Sequence, residues 1–413
     1  NILDVDYVNN IPRSQGGTIT QDTVWTPGLP NDPYIINANF TIASGASLII
    51  LPGTQVQFPA NYTFQVDGEL VVLGSAADPV VFTSSRASPA ADNWQGIYVS
   101  STATQFVLEY AEIRYADRAI EFSASTLTDT GACDTFCVRN SLLENNRYGL
   151  YLTGASPWVE GNTIQNNTRD GIWLETSSPQ IEGNTIQNNG AGYAGIRMGN
   201  DSDPVVTGNL VTGQNYGLYI YPANRSAVNN PAPVINGNDL YGNSLYELYA
   251  SNYFDAATIT LDATGNWWGT ADPAAIAAKI YDHQENATYG PVVDFSGYLD
   301  GSGGSAVLAN VLLGELATNT TLSSGTTWEV LGDITVPSGV TLTIESGVTL
   351  KFDGGANQVL QVDGALLVQG TVGSPVVFTS GQAVPADNPL RSSAERASSW
   401  TSSRWSRKNG ISV

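Results

Sequence analysis

The sequence predicts an all-β protein, a right-handed parallel β-helix that continues into the truncated start of a second β-helix. The phrase EGNTIQNN occurs twice, at 160–167 and at 182–189, so the repeat is 22 residues long. Each repeat holds three short stretches of alternating polar and apolar residues, which Gly, Asn and Pro separate. A helical repeat needs about 33 residues and a propeller blade about 40. The shorter period therefore indicates one turn of a three-stranded coil, with coils of about 22–29 residues.

An asparagine recurs once in each predicted coil. Aligning the repeats on it gives spacings of 22, 22, 25, 29 and 28 residues, for Asn140, Asn162, Asn184, Asn209, Asn238 and Asn266. We expect each asparagine at the same corner of its coil, in a left-handed or bridging conformation. Its amide would bond to the asparagines of the coils above and below.

Two columns of apolar residues are predicted to fill the interior of the coils. Parallel coils stack about 4.8 Å apart, so equivalent side chains lie on one another. The first column is Leu150, Ile172, Ile196, Leu218 and Leu248. The second column is Leu152, Leu174, Met198 and Ile220.

A long-range repeat divides the chain into modules. Residues 40–58 and 64–84 match residues 334–352 and 360–380, including the shared words VDG and PVVFTS. The predicted organisation follows from this match: an N-terminal extension at 1–16, a β-helix module at 17–299 with a cap at 266–299, a flexible linker at 300–306, the start of a second module at 307–388, and a tail at 389–413. A short helix at about 273–282, N-capped by Asp272, is expected to cover the coil end.

The tail departs from the first module. The match to the first module ends at Asn388, and the 25 residues that follow hold five of the chain's 16 basic residues. We interpret 389–413 as out-of-frame or otherwise non-native sequence, and a basic tail that anchors to an acidic surface is the alternative. In the first interpretation the second module is truncated, and its open end is predicted to allow self-association.

Composition restricts the function classes. The chain has 413 residues, 16 basic against 38 acidic, and a formal net charge of −22. That balance argues against nucleic acid as a partner, and no apolar run is long enough for a membrane span. An extracellular or cell-surface protein is favoured. Cys133 and Cys137, four residues apart, would then form a disulfide, with two reduced thiols as the alternative.

The motifs resemble those of a known superfamily. The words GNWWGTADP, EGNTIQNN and VDGELVVLGSAADPVVFTS are similar to those of secreted right-handed β-helix proteins of the pectin-lyase-like superfamily. The resemblance is greatest to members with copper-binding-protein-type (nitrous-oxide accessory) repeats. It covers most of 17–299 and again 326–388. It implies the fold, but not one activity, because the superfamily includes lyases, hydrolases, adhesins and non-catalytic surface proteins.

Catalytic and metal-binding candidates are few. The hydrolase words NTD and GHG do not occur in the sequence. A lyase-like site could use Arg147, Arg169 and Asp170, and Glu160 and Glu182, one coil apart, could hold calcium. The alternative is a solvated turn in which Arg169 and Asp170 form an exposed pair.

An aromatic line is the strongest candidate for a binding surface. The residues that face outward between the two apolar columns are predicted to form a row along one sheet, namely Tyr151, Trp173, Arg197, Tyr219 and Tyr249, which we call the aromatic line. Tyr221 points the same way. Flat aromatic faces suit stacking against sugar rings, although aromatic residues are also simply good strand formers.

The sequence therefore predicts an extracellular module, leaning toward non-catalytic, that binds polysaccharide or cell-wall glycan through the aromatic line. One alternative is a polysaccharide-degrading enzyme, more readily a lyase than a hydrolase, with calcium as the candidate cofactor. The other alternative is a structural stalk or a self-assembling surface fibre. The fold alone does not separate these functions.

Overall fold

The computed structural model describes residues 13–28, 32–129, 131, 133–307, 310–316, 318–352 and 359–380. Contacts divide the chain into two compact units, Asn1–Phe254 (unit 1) and Asp255–Val413 (unit 2). The predicted tail at 389–413 lies outside the described residues. Within the described ranges, no helix is both long and apolar enough to cross a bilayer.

Unit 1 consists almost entirely of short strands. They are β1 (Ser14–Ile19), β2 (Thr23–Trp25), β3 (Tyr34–Ile42), β4 (Ser47–Ile50), β5 (Gln55–Phe58), β6 (Thr63–Val66), β7 (Glu69–Leu73), β8 (Val80–Ser84), β9 (Trp94–Val99), β10 (Gln105–Glu109), β11 (Ala111–Arg114), β12 (Ala116–Ser123), β13 (Phe136–Arg139), β14 (Leu142–Glu144), β15 (Tyr148–Thr153), β16 (Trp158–Glu160), β17 (Thr163–Gln165), β18 (Ile172–Glu175), β19 (Gln180–Glu182), β20 (Thr185–Gln187), β21 (Ala194–Met198), β22 (Val205–Thr207), β23 (Leu210–Thr212), β24 (Tyr216–Ile220), β25 (Val234–Asn236), β26 (Asp239–Leu240) and β27 (Tyr246–Ala250). One 3₁₀ turn covers Ala227–Asn229.

These strands wind into parallel coils of three strands each. In the regular part, β16, β17 and β18 form one coil, and each strand pairs in parallel with its equivalent in the next coil, β19, β20 and β21. Both predicted apolar columns are confirmed, because Ile172 pairs with Leu150 and Ile196, and Leu174 pairs with Leu152 and Met198. All members of both columns are fully buried. The interior of unit 1 is therefore the stacked apolar core that the repeat predicts.

A buried asparagine ladder runs along one corner. Asn162, Asn184, Asn209 and Asn238 are buried, and the backbone N–H of each of the first three donates to the side-chain oxygen of the next, at 2.8–2.9 Å. Their side-chain amides donate to carbonyl oxygens of the preceding coil, for example that of Asn184 to Val159 at 3.0 Å. The ladder thus satisfies backbone groups that the turn would otherwise bury unpaired.

Two details of the predicted ladder are wrong. Asn140 is exposed, and Ser141 occupies the ladder position, where its N–H donates to Asn162 Oδ1 at 3.0 Å. The left-handed residue of each corner is the one before the ladder, with φ of 51° at Asn140 and 63° at both Gly161 and Gly183. Glycine takes that conformation without a side-chain clash, so the asparagine itself remains free to bond.

Unit 2 holds the predicted cap and the second module. Its strands are β28 (Thr260–Asp262), β29 (Ile280–Tyr281), β30 (Val292–Asp294), β31 (Asn310–Glu315), β32 (Thr320–Leu322), β33 (Thr327–Val336), β34 (Thr341–Ile344), β35 (Thr349–Phe352), β36 (Leu360–Val362), β37 (Ala365–Val368) and β38 (Val377–Ser380). Helix α1 (Pro273–Ala277) contacts β33. Because of such contacts the cap at 266–299, which the sequence assigns to the first module, groups with the second.

The capping helix begins as predicted and ends early. Asp272 is its N-cap, with the carboxylate accepting from the N–H of Ala274 at 3.0 Å, and Pro273 is the first helical residue. The helix ends at Ala277 rather than near Asp282, because Ile280 already belongs to β29.

The last described coil of unit 2 is less buried than its counterpart in unit 1. Phe64, Val66, Leu70, Val72 and Phe82 are fully buried. Their equivalents are only half-buried, namely Leu360, Val362, Leu366, Val368 and Phe378. In unit 1 the next coil covers these side chains, since β6, β7 and β8 pair with β9, β10 and β11.

Unit 2 contains a buried carboxyl group that makes its stability depend on pH. Asp282 is 5% exposed, and its carboxyl oxygens accept from the N–H groups of Gln284 and Val293 at 2.9 and 3.0 Å. Burial, with a smaller contribution from Glu285, raises the pKa of Asp282 to about 7. The folded state therefore binds this proton more tightly than the unfolded chain, whose aspartate pKa is about 4.

The sign of the effect follows from that difference. The stabilisation is fully present below pH of about 4 and is lost as the pH rises to about 7, by an amount on the order of a few kcal/mol. We expect the free energy of unfolding of unit 2 to fall over that interval, and Asp282→Asn to flatten the fall. Urea unfolding at a series of pH values checks this. An equally steep fall in the variant would contradict the assignment to Asp282.

Candidate functional site

The aromatic line occupies one face of the coils. Glu121, Tyr151, Trp173, Arg197, Tyr219 and Tyr249 pair in register through β12, β15, β18, β21, β24 and β27. Each side chain is partly exposed and lies between two fully buried neighbours of its own strand. The outward direction that the sequence predicts for these residues is therefore the one that the structure has.

The side chains of the line stack on one another. The rings of Tyr151 and Trp173 lie 5.6 Å apart at 17°, and those of Tyr219 and Tyr249 lie 4.8 Å apart at 3°. The Arg197 guanidinium carbon lies between these pairs, 5.1 Å from the Trp173 ring centroid and 4.4 Å from that of Tyr219. Arg118 extends the stack, with its guanidinium carbon 4.1 Å from the Tyr151 ring centroid.

This stacking changes what the line offers to a ligand. Trp173 is covered on one face by Tyr151 and on the other by Arg197, and Tyr219 is enclosed by Arg197 and Tyr249. The coil spacing of about 4.8 Å is close to the contact distance of two stacked groups, so successive side chains cover each other's faces. The line presents ring edges and polar groups, and the expected flat faces of Trp173 and Tyr219 are covered. Burial raises the pKa of Tyr151 and of Tyr219, whose hydroxyls therefore remain protonated.

A buried carboxylate fixes the arginine of the line. The side chain of Asp170 is fully buried, and its Oδ1 accepts from Arg197 Nε at 3.1 Å and from the N–H of Ala194 at 2.8 Å. Burial raises the pKa of Asp170, while the charge of Arg197 acts in the opposite direction. Nε and both faces of the guanidinium are thus engaged, and 18% of the Arg197 side chain is exposed.

The exposed Arg169–Asp170 pair that the sequence suggests is therefore wrong. Asp170 pairs across coils with Arg197, and Arg169 Nη1 donates instead to Tyr148 Oη at 2.7 Å. The position of Asp170 explains this. It lies two residues before Ile172 and is therefore equivalent to Tyr148, two residues before Leu150, and both positions are buried. Arg147, the other arginine candidate, pairs with Asp117 at 2.9 Å.

The structure adds a second row of aromatic residues beside the line. Tyr148 contacts Tyr151 and Trp173 edge-on, at 5.4 and 6.0 Å between ring centroids. Tyr216 makes the same kind of contact with Tyr219 and Tyr249. The sequence carries a signal for this row, in the words YGLY at 148–151 and 216–219 and YELY at 246–249. Arg118 has no such signal, because its coil contains a β-bulge.

The calcium candidates lie on another sheet. Glu160 and Glu182 are paired neighbours in β16 and β19, with Arg139 on the preceding coil beside Glu160. Arg139 itself forms an ion pair with Glu109 at 3.0 Å. Across the described part of the chain, no three His, Cys, Asp or Glu side chains come together as a metal-binding group.

The two cysteines lie in a loop that a buried carboxylate organises. Cys133 and Cys137 are bonded through sulfur, with their Cα atoms 4.9 Å apart. Asp129 Oδ2 accepts from the N–H groups of Asp134, Thr135 and Phe136 at 3.0–3.2 Å. Such a carboxylate fixes the loop backbone, so that Cys137 is buried within β13.

Two family models agree with this architecture. A right-handed β-helix region matches residues 71–232, and a pectate-lyase-like β-helix domain matches residues 17–115 and 314–390. The crystal structure of the Dettilon tailspike protein aligns with 86% of this chain, at 16% identity and a TM-score of 0.25, and the chain spans 61% of the tailspike chain. No curated protein matches the sequence.

The pectate-lyase-like model matches two separate regions, and these contain the two halves of the long-range repeat, 40–84 and 334–380. The first match covers the regular coils that carry most of the aromatic line. The chain is thus a right-handed parallel β-helix, and parts of it are similar to pectate-lyase-like β-helix domains.

Proposed function

We propose that this protein is an extracellular or cell-surface module that binds an acidic polysaccharide along the aromatic line. The observation that carries the proposal is the unbroken stack of partly exposed aromatic side chains and Arg197 over five successive coils. A linear surface of repeated contacts suits a linear polymer. Because most ring faces are covered, the glycan is held by ring edges, tyrosine hydroxyls and the outer edge of Arg197.

Arg197 supports the choice of an acidic glycan. Its guanidinium is fixed by Asp170 and stacked between Trp173 and Tyr219, so little side-chain entropy remains to be lost on binding. Its free edge donates to carboxylate or sulfate oxygens with charge-assisted hydrogen bonds. Arg147 and Arg169 lie on adjacent coils at the edge of the same face.

A binding role is favoured over catalysis by the state of Asp170. A carboxylate that acts as general acid or base must reach the substrate. The Asp170 carboxylate is fully buried and paired with Arg197, so its contribution is to hold the arginine in place.

Removing the indole of Trp173 is expected to weaken glycan binding. Trp173→Ala removes the exposed indole edge from the aromatic line, and it removes one of the two rings that hold Arg197. We therefore expect a loss of about 1–3 kcal/mol in binding free energy. Affinity electrophoresis through gels that contain acidic or neutral polysaccharides measures it. Arg197→Ala together with Asp170→Ala, which leaves no buried charge unpaired, should also make residual binding less sensitive to salt.

Trp158 supplies the matched control. It belongs to the same coil as Trp173 and is likewise half-buried, but it lies in β16 on another sheet. Trp158→Ala should leave binding unchanged. Equal affinity of the wild type and Trp173→Ala, or equal losses for the two tryptophan variants, would contradict binding along the line.

A further inference from the structure

We infer that two loops at the end of the aromatic line form a separate subsite, in which Phe254 and Tyr221 stack face-on against one sugar ring of the bound glycan. The inference rests on the proposed function and adds a kind of contact that the line itself does not provide. The first loop, 221–233, follows β24, and the second, 251–254, follows β27. These are the last two strands of unit 1 that carry residues of the line.

The subsite begins with the exposure of its rings. Tyr221 and Phe254 are each 39% exposed, unlike the partly covered rings of the line. Tyr221 continues the stack, since its ring lies 5.9 Å from that of Tyr219 at an interplanar angle of 26°. Phe254 has no ring partner among the described residues. Tyr221 and Phe254 are therefore two exposed rings beside the line.

The loops hold these rings in fixed positions. Asn230 bonds to Phe254 twice, since its Nδ2 donates to the Phe254 carbonyl at 2.8 Å and its Oδ1 accepts from the Phe254 N–H at 2.9 Å. Asn252 Nδ2 donates to the carbonyl of Pro222 at 2.6 Å. Arg225 Nε donates to the carbonyl of Tyr253 at 2.7 Å. These side-chain bonds join the two loops, so the segments next to Tyr221 and Phe254 are tied together.

Tyr253 anchors the loop that displays Phe254. Tyr253 is fully buried, and its hydroxyl donates to the carbonyl of Pro231 at 2.9 Å. Phe254 follows it in a turn and is 39% exposed. One ring of the Tyr253–Phe254 pair therefore anchors the loop, and the other is displayed. An apolar ring displayed on a rigid, hydrogen-bonded loop binds at little cost in conformational entropy.

A sugar ring is the occupant that fits this position. The subsite continues the aromatic line, so a linear glycan bound along the line reaches the loops at its end. The C–H face of a sugar ring is apolar and stacks on an aromatic face, while its hydroxyls remain available for hydrogen bonds. The line then binds the polymer edge-on, and the loops hold one terminal residue face-on.

The test compares Phe254→Ala and Tyr221→Ala with Trp173→Ala in the full chain, using an acidic polysaccharide that binds the wild type and short oligosaccharides cut from it. Stacking on one ring predicts that Phe254→Ala weakens binding about 3- to 10-fold. The loss should be similar for short and long ligands, because one sugar residue is involved. Trp173→Ala should reduce the affinity more for long ligands than for short ones. Phe254→Trp, which keeps an aromatic ring, should bind with the affinity of the wild type.

Two control variants separate a lost ring face from a disturbed loop. Val228→Ala changes a 77% exposed residue without a ring in the 221–233 loop. Tyr289→Ala removes a 41% exposed ring of unit 2. Both should bind as the wild type does. If Phe254→Ala binds normally while Trp173→Ala is weakened, the subsite is wrong and the proposed function stands. If Phe254→Ala and Tyr221→Ala are weakened and Trp173→Ala is not, the subsite stands and binding along the line fails. If the wild type binds no polysaccharide, both fail.

Discussion

Replacing Ile172 with aspartate is expected to unfold the regular coils of unit 1. Ile172 is fully buried between Leu150 of the preceding coil and Ile196 of the next. A carboxylate there has neither water nor a partner, and the coil has no room to turn it outward, because a one-residue shift would expose the whole column. The loss should exceed about 4 kcal/mol, a large part of the total stability of a typical domain.

Urea unfolding followed by circular dichroism measures this loss. Gln180→Asp introduces the same charge at an outward, half-buried position between Trp158 and Val205, and it should change the free energy of unfolding by less than about 1 kcal/mol. Ile172→Val should cost about 0.5–1.5 kcal/mol. A cooperative, wild-type transition for Ile172→Asp would refute the stacked core.

Replacing Asn184 with leucine is expected to cost about 3–5 kcal/mol, although the two side chains are similar in size. Asn184 Oδ1 accepts from both the N–H and the side-chain amide of Asn162, at 2.9 and 3.0 Å. Its own amide donates to Val159 and to Asn209 Oδ1. Leucine removes these partners of the Asn162 N–H and the Val159 carbonyl, while Asn162 Nδ2 keeps its bond to Val138 and Asn209 Oδ1 keeps the backbone N–H of residue 184. Each buried group left unsatisfied costs about 1–3 kcal/mol.

The same unfolding measurement tests the ladder, with a control from the same coil. Gln187 makes one side-chain hydrogen bond, donating to Gln165 Oε1 at 2.8 Å on the outer face. Gln187→Ala should therefore cost about 1 kcal/mol or less. If Asn184→Leu is no more destabilising than Gln187→Ala, the ladder is not a main source of stability.

The sequence by itself determined the coil, its interior and the direction of the aromatic line. Parallel coils place equivalent residues directly on one another, and strand side chains alternate between two faces. Once the period of the repeat is known, Ile172 must face inward and Trp173 outward. The same reasoning places Asn162 and Asn184 at one corner, because they are separated by one repeat of 22 residues.

The tertiary structure decided which side chains meet. Ser141 rather than Asn140 enters the ladder, because the left-handed corner residue precedes the bonding residue by one position. Asp170 pairs with Arg197, 27 residues away, instead of with its neighbour Arg169. The spacing between coils closes the ring faces of Trp173, whereas Phe254 and Tyr221, which lie in loops, are each 39% exposed. Periodicity fixes the face of a residue, but contact depends on backbone conformation at the corners and on side-chain directions across coils, which local sequence does not specify.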